Sequence, residues 1–115
     1  MSIVVIGVNH RTAPIELLER VSLSGSELGK AISGLVSRAN IREAAVLSTC
    51  NRTEVFAVAE RFHGAYADIR DFFCELGALQ PDELHPHLYS QHDEAAVMHL
   101  FDVAAGLESA VLGES

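Results

Sequence analysis

The chain is expected to form one α+β domain: a split βαββαβ antiparallel sheet with helices on one face and an additional C-terminal helix. Three observations predict this. Short apolar runs at residues 3–8, 41–48 and 53–59 read as strands. Between and after them, apolar residues recur at three- and four-residue spacing, the period of a helix with one buried face. With 115 residues, 49% of them apolar, the chain has the size of a single domain and enough material for one substantial core.

The first strand is Ile3-Val4-Val5-Ile6-Gly7-Val8, ended by Asn9 and His10. Pro14 stands where a helix can begin, and Ile15, Leu17, Leu18 and Val21 supply its short apolar face. A second helix is expected from Ser26, with Leu28, Ala31, Ile32 and Leu35 inward; Gly29 and Gly34 lower its propensity, so it relies on packing. The strands at 41–48 and 53–59 leave Thr49-Cys50-Asn51-Arg52 as their connection. A third helix covers about Ala65 to Leu76 and ends at Gly77. Leu84 to Ser90 alternates as a fourth strand, which Pro86 demotes to an edge or delays in its start. Asp93 then reads as a cap or first-turn acid for a last helix carrying Ala96, Val97, Leu100, Phe101 and Val103.

This order fits a ferredoxin-like topology in which the first strand lies between the third and fourth, antiparallel to both. One end of the sheet then collects Asn9, His10, Cys50, Asn51 and Arg52, with His87 nearby. The last helix starts at the opposite end and reaches the cysteine end only in its later turns, where His99, Gly106 and Ser109 fall.

Charge and composition narrow the function classes. Eight basic against sixteen acidic side chains give a formal net charge of −8, which argues against a surface that holds nucleic acid by electrostatics alone. No stretch approaches the length of a membrane span, and the first residues lack a basic start and a small-residue cleavage site; a cytoplasmic protein with no membrane partner is expected. Cys50 and Cys74 are expected to be free thiols. No Gly-x-Gly-x-x-Gly or Gly-x-x-x-x-Gly-Lys pattern occurs, so no nucleotide pocket is indicated. His85, His87 and His92 form the densest imidazole cluster, but their spacing does not match a zinc site, and no metal is expected.

The residues that suggest chemistry are Cys50 and Arg52. A thiolate captures an activated acyl group as a thioester, and its ordinary pKa of about 8.5 needs only modest lowering. Arg52 can contribute to that lowering, or its planar fork can grip a carboxylate through two parallel hydrogen bonds. An imidazole at His10 or His99 can move the proton. Bland readings stand beside these: an inert turn cysteine, Arg52 paired at the surface with Glu54, Asn9 capping a turn, His99 as a satisfied core residue, and Ser109 bonded to a helical carbonyl. In a straight helix His99 and Ser109 lie about 15 Å apart along the axis.

Three motifs carry a resemblance: Gly7-Val8-Asn9-His10-Arg11-Thr12-Ala13-Pro14; Leu47-Ser48-Thr49-Cys50-Asn51-Arg52-Thr53-Glu54; and His99-Leu100-Phe101 with Ala104-Ala105-Gly106-Leu107-Glu108-Ser109 through Leu112-Gly113-Glu114. Together they resemble the N-terminal catalytic domain of glutamyl-tRNA reductase. The resemblance implies that Cys50 attacks the ester of glutamyl-tRNA to give a glutamyl thioester, which NADPH reduces to glutamate-1-semialdehyde, the first step of tetrapyrrole and porphyrin biosynthesis from glutamate. It implies glutamate recognition by Thr49, Arg52 and Ser109, acid or base catalysis by His99, and supporting places for Asn9, His10 and Asn51. Members of the family continue into NADPH-binding and dimerisation domains, so residues 1–115 are expected to be a catalytic fragment without reductase activity of its own. The resemblance also implies that the longer enzyme is a homodimer that can hand its product to a downstream aminomutase. Two alternatives stay open: a small ferredoxin-like binding module with a structural cysteine, and a thiol-dependent esterase.

Overall fold

A computed structural model describes residues 1–113 and, within them, the side chains of residues 1–106. The elements run β1 (Ser2–Asn9), α1 (Ile15–Arg20), α2 (Gly25–Val36), β2 (Ile41–Ser48), β3 (Arg52–Ala59), α3 (Phe62–Gly77), α4 (Pro81–Leu84), β4 (Tyr89–His92) and α5 (Glu94–Gly113). A single 3-10 turn, His85–His87, joins α4 to β4. The sheet order is β2-β3-β1-β4 with every neighbouring pair antiparallel, the predicted ferredoxin-like arrangement.

The unbroken apolar run of β1 reflects its place at the centre, covered on both faces. Val4, Ile6 and Val8 enter a core with Leu17 and Leu18 of α1, Leu35 of α2, and Ile69 and Phe73 of α3. Val5 and Gly7 face the other way, and α5 crosses that face over β4 and β1, burying Ala96 and Val103. Helices α1 to α3 thus cover one face, and the additional helix covers part of the other. Chain direction there is as expected: the Asp93 N–H donates to the Ile3 carbonyl at 2.7 Å, so α5 starts at the end of the sheet far from Cys50. Asp93 stands immediately before α5, its carbonyl accepting from the Val97 N–H at 3.1 Å, and its side chain accepts from the Ile3 N–H at 3.2 Å.

Local chemistry explains the element ends. Both the N–H and the hydroxyl of Ser24 donate to the Glu27 carboxylate at 2.8 Å, which starts α2 one residue before the expected Ser26 and holds the Glu27 carboxyl below its usual range. The end of α3 differs in kind from the glycine stop that was expected. Ala78 takes the left-handed conformation (φ 52°) that stops the helix, and Gly77, the last helical residue, is closely packed: a Cβ there would meet Leu79 and Val21 side-chain carbons at 3.0 Å. Arg20 closes the junction, its guanidinium donating to the carbonyls of Gly77 (2.8 Å) and Ala78 (2.7 Å).

The fourth strand lies at an edge, and Pro86 delays its start. Residues 84–87 are not strand: Pro81 opens a helical turn, with the Gln80 N–H capped by the Glu83 carboxylate at 2.9 Å, and Pro86 sits in the 3-10 turn. The strand follows at Tyr89–His92, paired with Val4 to Gly7. Leu84 and Leu88 are spaced for one helical turn as well as for alternation. The two prolines, which remove ladder donors but suit first-turn positions, favour the helical form.

Candidate active site

Cys50 sits on a connection tied down at several points. The Thr49 N–H donates to the Arg52 carbonyl at 2.8 Å, and the Asn51 N–H donates to Thr49 Oγ1 at 3.1 Å. From the end of β1, the His10 N–H donates to the Asn51 carbonyl at 2.9 Å. At the base of the turn, Ser48 Oγ accepts from the Leu23 N–H at 2.9 Å and lies 3.1 Å from the Thr53 hydroxyl. The turn is therefore fixed to β1 and to the segment between α1 and α2, while the Cys50 residue itself is exposed. Thr49 and Cys50 line, with Ile15, Leu18, Glu19 and Ser22, a cavity of about 300 Å³ beside α1.

Asn9 works as a turn former: its side-chain oxygen accepts from the N–H groups of Arg11 (2.8 Å) and Thr12 (3.1 Å). The register places it directly opposite Arg52. His10 is exposed. The expected imidazole cluster disperses. His85 Nδ1 lies 3.0 Å from the Tyr66 hydroxyl, His87 Nδ1 lies 2.8 Å from the Thr12 carbonyl, and His92 packs on Phe62 at 5.2 Å between ring centroids.

A second group gathers on the α5 side of the sheet. Alternation along β3 turns Arg52, Glu54 and Phe56 to that face, and Glu54 is completely buried. Its Oε2 accepts from Arg52 Nη1 at 3.3 Å, contacts His99 Nε2 at 2.6 Å, and accepts from the Tyr89 hydroxyl. Oε1 is buried with no partner among the described residues. The side chains of Arg52 and His99 remain 23% and 22% exposed, so both reach the surface from this buried anchor. Tyr89 is held well above the usual phenol range, first by burial and then by the hydrogen bond and charge of Glu54, with Arg52 and Asn9 acting in the opposite direction.

The structure thus brings Arg52 and His99 together through one carboxylate, and holds Cys50 and Thr49 on the adjacent turn. Arg52 and His99 direct these hydrogen bonds to Glu54 and not to the thiol. Ser109 and Glu114 lie outside the described side chains. Glu54 and Tyr89 were not singled out from the sequence as site residues. The available signal was an acid between Thr53 and Val55-Phe56 in a strand that the topology makes internal, where an unpaired charge is costly.

The family described as "Glutamyl-tRNAGlu reductase, N-terminal domain" matches residues 6–115. This chain belongs to the glutamyl-tRNA reductase N-terminal domain family. Glutamyl-tRNA reductase of Frankia alni is 50% identical over all of the chain, and that of Thermobifida fusca 45% identical over 99% of it. The solved structure of glutamyl-tRNA reductase from Methanopyrus kandleri superposes with a TM-score of 0.62 at 32% identity, covering 92% of this chain. The chain spans about a quarter of the length of each of these reductases: 24%, 24% and 23%. Among the described residues, no helix is long and apolar enough to cross a membrane.

For this reductase-family domain, the two thiols should differ in reactivity. Cys50 is exposed, whereas Cys74 is half-buried in α3 and its thiol is pushed up by burial and by the Asp71 charge. Iodoacetamide at neutral pH should therefore label Cys50 at least about tenfold faster than Cys74, since the thiolate is the reacting form. Peptide mass spectrometry over time checks this, and preferential labelling of Cys74 would contradict the exposure of Cys50.

Proposed function

We propose that residues 1–115 are the catalytic domain of an NADPH-dependent glutamyl-tRNA reductase and perform its first half-reaction. The Cys50 sulfur attacks the ester carbonyl of glutamyl-tRNA, the tRNA hydroxyl leaves with a proton, and glutamate remains as a thioester on Cys50. Arg52 binds the side-chain carboxylate of the glutamyl group: one of its five N–H donors is held by Glu54, and others remain for a ligand. Thr49 and Ser109 complete recognition of the glutamyl group, and His99 moves the proton.

The observation that carries this reading is an exposed thiol on an anchored turn, followed two residues later by a guanidinium that is oriented from beneath by a buried carboxylate. Binding the end of glutamate that does not react positions the carbonyl that does, and an anchored turn reduces the entropy lost in reaching the attacking geometry.

NADPH supplies the hydride that converts the thioester to the aldehyde. These residues do not fit a dinucleotide: the sequence lacks the glycine-rich phosphate turn, and the antiparallel sheet lacks the parallel switch-point crevice of dinucleotide folds. The cofactor is therefore assigned to another region of the longer enzyme.

Mass spectrometry after incubation with glutamyl-tRNA tests the reading. One glutamyl adduct is expected, mapping to Cys50 and missing from Cys50→Ser. An adduct elsewhere, or none at all from substrate shown to be charged, would sink it.

A further inference from the structure

We propose that Glu54 is a positioning residue for this site, its buried carboxylate fixing Arg52 and His99 relative to each other so that both meet the acyl group at Cys50. The proposal rests on the reading of Cys50 and Arg52 given above and assigns Glu54 a role within it.

Three observations converge on this carboxylate. First, the three donors are unevenly arranged: Arg52, His99 and Tyr89 all meet Oε2, while Oε1 is buried without a partner among the described residues. A fully buried carboxylate with an unpaired oxygen adds little stability compared with an apolar side chain, so fold stability does not explain its presence. Second, the neighbouring strand makes room for it. Gly7 lies directly opposite Glu54, and a Cβ there would stand 2.8 Å from Glu54 Cγ. Third, Tyr89 stays a donor, because its phenol is held protonated by burial and by the same carboxylate. The result is a clamp whose inner parts, Glu54 and Tyr89, are shielded, and whose outer parts, Arg52 and His99, reach the surface.

The test is a double-mutant cycle in the full-length enzyme, measuring the rate of glutamyl transfer to Cys50. Glu54→Gln should lower that rate by about 100-fold, the scale of a misplaced binding group. In the Arg52→Lys background, where the fork is already lost, the same change should cost only about tenfold, the part that acts through His99, because coupled residues are not additive. Equal factors in both backgrounds, or an unchanged rate in folded Glu54→Gln, overturn the proposal. If Glu54→Gln does not fold, Tyr89→Phe takes its place: it removes one donor, keeps the carboxylate, and should show a smaller loss with the same background dependence. A second readout requires no chemistry. NMR of the 115-residue chain should show Arg52 guanidinium N–H signals resolved by restricted rotation, merging in Glu54→Gln. A freely rotating Arg52 in the unsubstituted chain defeats the positioning role, whereas failure of the unsubstituted enzyme to form an adduct defeats the catalytic reading.

Discussion

Arg52→Met is expected to lower glutamyl transfer from glutamyl-tRNA to Cys50 by about 1000-fold, while acylation of Cys50 by p-nitrophenyl acetate falls no more than about threefold. The magnitude follows from chemistry. A bidentate guanidinium–carboxylate contact comprises two charge-assisted hydrogen bonds of about 1.5–3 kcal/mol each, so losing both costs about 4 kcal/mol, near three powers of ten in rate. Acetate has no second carboxylate and does not use the contact. Arg52→Lys keeps the charge but not the fork, and should lie between Met and the parent. The acetyl ester also guards against a trivial loss of fold, because Arg52 is one of the donors to buried Glu54 and its removal leaves that carboxylate less well compensated. Equal losses on both substrates would mean that Arg52 maintains the site without recognising glutamate.

The sequence revealed the sheet more readily than the clamp behind the site. Strand order followed from element order, because a central first strand is the topology expected of this succession, and its apolar run from Val4 to Val8 agrees with burial on both faces. The cysteine turn was legible because two apolar strands bracket it. His99 could be placed near the cysteine end by counting helical rise from Asp93, and it does reach Glu54. The early bound of the fourth strand was set at Leu84 because Leu84, Pro86 and Leu88 satisfy alternation while Leu84 and Leu88 fit a helical turn as well; only the core position of Leu84 and the cap on Gln80 separate the two forms. Glu54 escaped because local patterning reads an acid beside Arg52 as half of a surface pair. Its burial depends on α5, which arrives some forty residues later and covers a face that sequence periodicity alone leaves open. Tyr89 escaped for the same reason, since its partner is defined by a long-range register, Gly7 opposite both Tyr89 and Glu54.

That register makes Gly7→Ala the substitution with the largest expected effect on stability. A Cβ at Gly7 would stand 2.7 Å from the Thr53 carbonyl oxygen, 2.8 Å from Glu54 Cγ and 3.0 Å from Glu54 Cα. Two of these three atoms are backbone, so no rotamer change relieves the overlap. Nor can β1 move aside, because it is hydrogen-bonded to β3 on one edge and β4 on the other. Overpacking of this kind typically costs about 1–3 kcal/mol, and confinement between two strands places this site at the upper end, near 3 kcal/mol. For a domain of this size that lowers the melting temperature by about 10 °C or more. Gly29→Ala provides the opposite sign: it lies within α2 with nothing among the described residues within 4 Å of the added carbon, and should stabilise by up to about 1 kcal/mol. Thermal unfolding of the two variants side by side checks both, and a Gly7→Ala protein as stable as the parent would show that β1 and β3 have slack the register does not suggest. The same displaced Glu54 Cγ carries the chemical consequence. Even at temperatures where Gly7→Ala is fully folded, glutamyl transfer should fall by about tenfold or more, because the carboxylate that orients Arg52 and His99 has been pushed out of place.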